Sequence, residues 1–436
     1  MEKITLFTTF RSADPAYSLN RVVQDQIKML TNHGYKPTVI VAKGFEPVEE
    51  YLKCDIVEIP DVPVSNEVYI DKTFDADIAA LKEALRPILK DSAVMITHDL
   101  IYQPAALKHN LAVRQLVAED PEIKTKFLHW IHSATEPQIV QQIRGGGNKY
   151  LETLKIPFPR SLYIAFNTFS VPRIASWFGV EESLVKYVPH PHDFYEFFHE
   201  DAIKIAEKGN LLQKDVVMIY PCRLDRGKQA EYIIKIAAAV KETGRSVGAV
   251  IVDFHSTGGD KVTYRDEMKA LALDLGLSET ELIFASEIDK WNNPDAGNRA
   301  SFPHQVTHDL FSISNTFILP SRTETYSLVA QEAAAARNFC ILNYDFPPFR
   351  SIYGDAAHYA KFSSNIDVMT GMDGETNTKY TDEAAYWYSL ACYINYVQEN
   401  TRVLALANKI RKERNLNHVF KQNIEPLFFT HGKFNY

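Results

Sequence analysis

Strand-like runs of β-branched and aromatic residues alternate with stretches of helical period along nearly the whole chain, and the scheme occurs twice. In the first half, residues 4–10, 37–41, 94–97, 127–132, 162–166 and 186–189 read as strands. Between them, 19–31, 75–90, 105–118 and 171–178 read as helices. Within 19–31 the apolar residues Val22, Val23, Ile27 and Leu30 share one face, and Gly34 supplies a stop. The second half repeats the pattern, with strands at 216–220, 248–254, 282–285, 316–319 and 340–343. Its helices fall at 229–243, 264–275, 310–314 and 327–337. Later elements are expected at 366–370, 385–398 and 403–419, the last a helix with basic residues along one side. Strands separated by helices pair in parallel, so the predicted fold class is α/β with two doubly wound lobes. The chain's 436 residues and 46% hydrophobic content are enough for two cores. The expected division is 1–195, 196–405 and a C-terminal helix and tail, 406–436, able to cross back to the first lobe.

Charge narrows the partners. A net charge of −8 argues against coating nucleic acid or an anionic membrane, because both need clustered Lys and Arg. The opening residues read as a strand rather than a signal peptide, and no apolar run is long enough to span a bilayer. The cysteines Cys54, Cys222, Cys340 and Cys392 lie far apart without a CxxC pair, which fits reduced thiols and a cytoplasmic protein. No HExxH occurs. His190 and His192 flank Pro191, as a shared metal or, by spacing, a polar loop between elements would have them, and no metal site is expected.

Two segments carry chemistry. The strand-like run 216–220 opens into Arg223-Leu-Asp-Arg-Gly-Lys228. Arginine gives a planar fork of donors and lysine a point charge, a set suited to a diphosphate, while Gly227 permits close backbone approach. The plain alternative is a solvated basic turn. Neither GxGxxG nor GxxxxGK[ST] is present, so dinucleotide and P-loop readings have little support. The second segment, Glu324-Thr-Tyr-Ser-Leu-Val-Ala-Gln-Glu332, follows the run Phe317-Ile-Leu-Pro and the turn Ser321-Arg-Thr. A helix starting near Glu324 would place Glu332 about 12 Å along its axis. Its first free N–H groups, around Tyr326, Ser327 and Leu328, would then point at a phosphate. The plain alternative is an amphipathic helix whose glutamates face water.

Together these segments resemble the retaining GT-B glycosyltransferases of the glycogen-synthase-like, glycosyltransferase family 4 type. The Arg-x4-Lys and Glu-x7-Glu spacings carry the resemblance, with Arg350-Ser-Ile-Tyr-Gly-Asp355 and Val188-Pro-His-Pro-His-Asp193 in support. Tyr17-Ser-Leu-Asn-Arg-Val-Val follows the family's first helix. The resemblance implies two Rossmann-like lobes facing a central cleft. It gives Arg223 and Lys228 the diphosphate, Glu324 the donor sugar and Glu332 the ribose, with Tyr326, Ser327 and Leu328 also on the donor. It places His132 beside the anomeric carbon. The implied catalytic set is Glu324, His132, Lys228 and Arg223. Tyr17 and Ser18 stand where the family often has Gly-Gly, and the glycines usual between the paired glutamates are replaced by Thr325, Tyr326 and Ser327.

The expected activity is hexosyl or pentosyl transfer from a UDP-, GDP- or ADP-linked sugar with retained configuration, by a same-face mechanism without metal or cofactor. A saccharide or small molecule is the expected acceptor, a modified nucleic-acid base a minor alternative. Stable membrane insertion is not expected, because the 75–90 helix mixes both charges. Other readings of the same fold are a nucleotide-sugar epimerase, a phosphorylase, or a silent nucleotide- or carbohydrate-binding protein. The stretches 144–149 and 291–299 read as acceptor-closing or rim loops, or as ordinary surface loops.

Overall fold

The computed structural model describes residues 2–62, 70, 72–132, 150, 152–253, 260–288, 303–324, 326–363, 369–370, 377–378 and 382–429. The stretches 144–149 and 291–299, residue Thr325 and most of 366–370 lie outside the described residues. Contacts divide the chain into Met1–His192 with Leu416–Tyr436, and Asp193–Asn415.

The first unit is a parallel sheet of seven strands. They are β1 (Ile4–Phe7), β2 (Thr38–Ala42), β3 (Asp55–Ile59), β4 (Val94–His98), β5 (Lys126–Trp130), β6 (Ser161–Ala165) and β7 (Val185–Tyr187), in the order β3-β2-β1-β4-β5-β6-β7. Side chains alternate across each strand, so one face collects Phe7, Ile40, Met95, Phe127 and Tyr163, and the other Leu6, Val39, Ile96, Leu128 and Ile164. Both faces are buried, as parallel sheets require. Helices α2 (Phe74–Asp91), α3 (Leu107–Glu119) and α4 (Val171–Phe178) supply residues to the first face, and α1 (Ser18–Asn32) to the second. Helix α1 ends as its sequence predicts. Gly34 adopts φ +83°, and the N–H groups of Gly34 and Tyr35 return to the carbonyls of Thr31 and Leu30 at 3.0 Å each.

The second unit is a parallel sheet of six: β8 (Val216–Cys222), β9 (Val247–Asp253), β10 (Leu282–Phe284), β11 (Thr316–Leu319), β12 (Phe339–Asn343) and β13 (His358–Ala360). Their order is β10-β9-β8-β11-β12-β13. Around it lie α5 (Glu200–Lys208), α6 (Glu231–Glu242), α7 (Asp260–Asp274), α8 (His304–Ile313), α9 (Leu328–Ala335), α10 (Pro347–Tyr353), α11 (Glu383–Asn400) and α12 (Arg402–Arg414). Each sheet reverses its direction of winding once, between β1 and β4 and between β8 and β11. Ligands of such sheets bind outside the carboxyl ends of strands at that reversal.

The single helix expected at 403–419 is broken. Helix α12 stops at Arg414, and the Asn415 amide donates to the carbonyls of Arg411 and Lys412 at 2.7 and 3.1 Å. The chain then continues as a short helix, Leu416–Val419, a π-helical turn, Phe420–Ile424, and a last helix, Glu425–Phe429. Val419, Phe420, Ile424, Leu427 and Phe428 complete the first unit's α1-side core. Phe420 is fully buried and stacks on His33 with centroids 4.2 Å apart. Phe420→Ala should therefore lower the stability of the first unit by about 3–5 kcal/mol. Urea unfolding followed by circular dichroism checks this, and an unchanged midpoint would remove the C-terminal segment from that core.

Candidate functional site

The second unit's reversal point is built by two turns that grip each other. After β8 the chain runs through Arg223 into the 3-10 turn Arg226–Lys228, and after β11 it runs through Pro320 and Ser321 to Glu324. Tyr220, fully buried, donates its hydroxyl to the Lys228 carbonyl at 2.7 Å and lies 3.2 Å from the Ser321 hydroxyl. The Arg322 N–H donates to the Gly227 carbonyl at 3.1 Å. Gln229, buried in left-handed backbone at φ +52°, orients its amide to donate to the Pro320 carbonyl at 2.6 Å and to accept from Arg322 Nε at 3.2 Å. Asn343 holds the Ser321 carbonyl at 3.0 Å.

These bonds bring Lys228 Nζ onto Glu324 Oε1 as an ion pair. The two side chains are 22% and 16% exposed, so water screens them weakly. Arg223 lies on the exposed side of its turn, its Nε 3.2 Å from Asp225 rather than on Glu324.

The helix expected at 327–337 begins at Leu328, and the alternative start near Glu324 is not taken. Ser327 takes φ +66°, which no α-helical residue adopts, and α9 starts at Leu328. Glu324 therefore belongs to the turn and Glu332 to the helix, and the 12 Å rise along one axis does not apply. Ala330 N–H bonds the Ser327 carbonyl at 3.2 Å, at the first turn of α9. Glu332 Oε1 lies 3.0 Å from His304 Nε2. Tyr326 and Leu328 are exposed, and the Tyr326 hydroxyl accepts from Gln331 at 2.9 Å. Tyr353, from the 350–355 region, donates its hydroxyl towards the carbonyls of Tyr326 and Ser327 at 3.3 and 3.1 Å. Sequence reasoning singled out that region without giving Tyr353 this part.

In the first unit, a cleft of about 430 Å³ opens at the β1/β4 reversal. Thr8, Phe10, Asp14, Tyr17, His98 and Asp99 are among its lining residues. Tyr17 caps the start of α1 and meets Phe10 edge-on at 5.8 Å, and Ser18 is the exposed first residue of the helix. His132 follows β5. Its backbone N–H donates to Asp99 Oδ1 at 2.7 Å, and its Nε2 lies 2.9 Å from His98 Nδ1. Burial pulls His132 down to about 4, with Asp99 opposing and His190 assisting. Burial likewise holds His98 well below the usual imidazole range and lowers His190, whose ring stacks on Phe166 at 3.9 Å. His98 and Asp99 escaped the sequence reading, although two polar residues closing an apolar strand were there to be seen.

Residues 201–368, all within the second unit, match the family described as glycosyl transferases group 1. That match supports a glycosyltransferase. No curated protein sequence matches the chain. Solved structures similar to it include a glycosyltransferase from Rickettsia africae ESF-5, at 13% identity over 99% of each chain with a TM-score of 0.35. Sucrose-phosphate synthase from Thermosynechococcus elongatus is 16% identical over 98% of this chain and 96% of its own, with a TM-score of 0.35. Anabaena HepE, crystallised with UDP and glucose, is 14% identical over 99% and 100%, with a TM-score of 0.36. Likeness at this level does not carry function.

Two outcomes follow from the geometry. Ser327→Gly should raise stability by about 0.5–1 kcal/mol, because glycine removes the left-handed strain while losing more chain entropy. A lower melting temperature would show that the serine is unstrained. Unfolded His132 takes a proton near pH 6.5, whereas the folded residue does so only at about 4. Between those values the unfolded state binds more protons, so stability falls as pH drops through that window. His132→Gln should flatten this acid loss in melting-temperature profiles, and an unchanged slope would contradict it.

Proposed function

We propose that the chain is a retaining glycosyltransferase that moves a hexosyl or pentosyl group from a nucleotide-diphosphate sugar to a hydroxyl acceptor without a metal ion. The observation that carries this is the Lys228–Glu324 pair at the β8/β11 reversal, four residues before the start of α9. A diphosphate offers Lys228 and Arg223 their anion, and sugar hydroxyls offer Glu324 their donors. Both members of the pair thus exchange a protein partner for a substrate one. Glu332 would take the ribose hydroxyls. Tyr326, Ser327 and Leu328 would border the donor, and Tyr17 and Ser18 are also proposed as donor-binding residues.

As the bond from the anomeric carbon to the diphosphate oxygen breaks, negative charge grows on that oxygen, and Lys228 neutralises it. The acceptor oxygen bonds the same face of the anomeric carbon, and its proton passes to the departing phosphate oxygen. No protein nucleophile is required. The first unit's cleft, with carboxylates of Asp14 and Asp99 and the aromatic pair Phe10 and Tyr17, suits a hydroxyl-rich saccharide or small molecule as acceptor. His132 would act beside the reacting sugar. Among the described residues no helix is long and apolar enough to cross a membrane, and all four cysteines are free thiols. A cytoplasmic location fits the free thiols.

A thermal-shift screen of UDP, GDP, ADP and their sugars selects the donor, since a ligand of the native state raises the melting temperature. With that donor, Glu324→Ala and Lys228→Ala should each lower transfer by about 10²–10³-fold while circular dichroism stays that of the parent. Unchanged kinetics in both variants would overturn the assignment, as would conversion of the donor to its epimer with no acceptor present.

A further inference from the structure

A buried line of three side chains ends at His132. Gln26, on α1, and His98, at the end of β4, are 3% and 6% exposed. Gln26 Oε1 lies 3.0 Å from His98 Nε2, and His98 Nδ1 lies 2.9 Å from His132 Nε2. A carbonyl oxygen only accepts, and a neutral imidazole carries its single proton on one nitrogen. His98 must then hold its proton on Nε2, where the Gln26 carbonyl receives it. That leaves a lone pair on His98 Nδ1, which can be met only by a proton on His132 Nε2. The consequence is a bare His132 Nδ1.

We infer that Gln26 and His98 are positioning residues that lock His132 as the Nε2–H tautomer, so that its Nδ1 accepts a hydrogen bond from a substrate hydroxyl. The effect on catalysis rests on the proposed role of His132, whereas the tautomer rests on the three side chains alone. Several groups face the His132 ring or backbone. Asp99 takes the backbone N–H and favours a charged ring, while His98 and His190 stand beside it, and Phe166 lies 4.6 Å from it. Burial outweighs Asp99, so the ring stays neutral at neutral pH and the lone pair is retained.

A nitrogen that can only accept selects its ligand. It rewards a hydroxyl and repels a carbonyl, carboxylate or phosphate oxygen at the same point. A site matched to a substrate hydroxyl rejects the analogue lacking it by as much as about 10⁴-fold, because its own polar group is left unpaired. The line of three thus converts an ambidextrous side chain into a reader of hydroxyl groups.

The test is nitrogen-15 NMR of the histidine rings in the full-length protein, with His132 assigned by loss of its signals in His132→Gln. The expected spectrum shows a proton on Nε2 and an unprotonated Nδ1 at neutral pH. Gln26→Leu removes the acceptor for His98 and should mix the two tautomers. A proton on Nδ1 of the parent protein, or a spectrum indifferent to Gln26→Leu, overturns the inference. If Gln26→Leu does not fold, the parent spectrum still decides. Where transfer is measurable, Gln26→Leu should lower kcat about tenfold or more with donor KM little changed. NMR needs no turnover, so a chain inactive on every nucleotide sugar would refute the proposed function and leave the tautomer assignment standing.

Discussion

A parallel sheet buried on both faces has no free face for chemistry, and the candidate residues of this chain gather beyond the carboxyl edges of its strands. The winding reversal decides where on that edge. At β8 and β11 the two chains leave their adjacent strands for opposite sides, and the gap between them must be closed by polar turns rather than by a helix. Tyr220, Gln229 and Asn343 close it from below by taking the carbonyls that the turns leave unpaired. Each is buried at a place where an unbonded carbonyl would cost about 1–3 kcal/mol. The Lys228–Glu324 pair exists at that spot because the two turns are tied backbone to backbone through Arg322 and Gly227.

The two reversal points are filled in opposite ways. In the second unit a cation and a carboxylate oppose each other. In the first unit the corresponding edge carries His98, His132 and His190, all held neutral by burial, with Asp99 bonded to Tyr102 and to the His132 backbone. One edge thus presents charge and the other neutral rings.

Most of this fold was legible because its strands are short, apolar and separated by stretches of helical period, a pattern that leaves little alternative to parallel pairing. The features that escaped have physical causes. Strand β3 lies on the edge of its sheet, where Asp55 and Glu58 face water and erase the apolar run. The break at Asn415 depends on a side chain bonding back to the carbonyls of the preceding turn, which an uninterrupted helical period conceals. The charges at Lys228 and Glu324 stood out in the sequence because each lies in a polar turn after a strand-like run, whereas His98 carries no such mark. Both contacts join strands whose pairing only the topology supplies.

The start of α9 shows how far spacing can mislead. Eight residues from Glu324 to Glu332 invite one continuous helix, and a chain with glycine at the third step would take the turn without strain. Here serine takes it, in the left-handed region, and Tyr353 braces the same bend by bonding the carbonyls of Tyr326 and Ser327. Tyrosine and serine side chains thus occupy the approach to α9 where glycine would leave backbone alone. Under the proposed function, a donor approaching the start of α9 would pass the exposed Tyr326 ring, and its selection would depend on the shape of residues 326–328 as well as on the charges behind them.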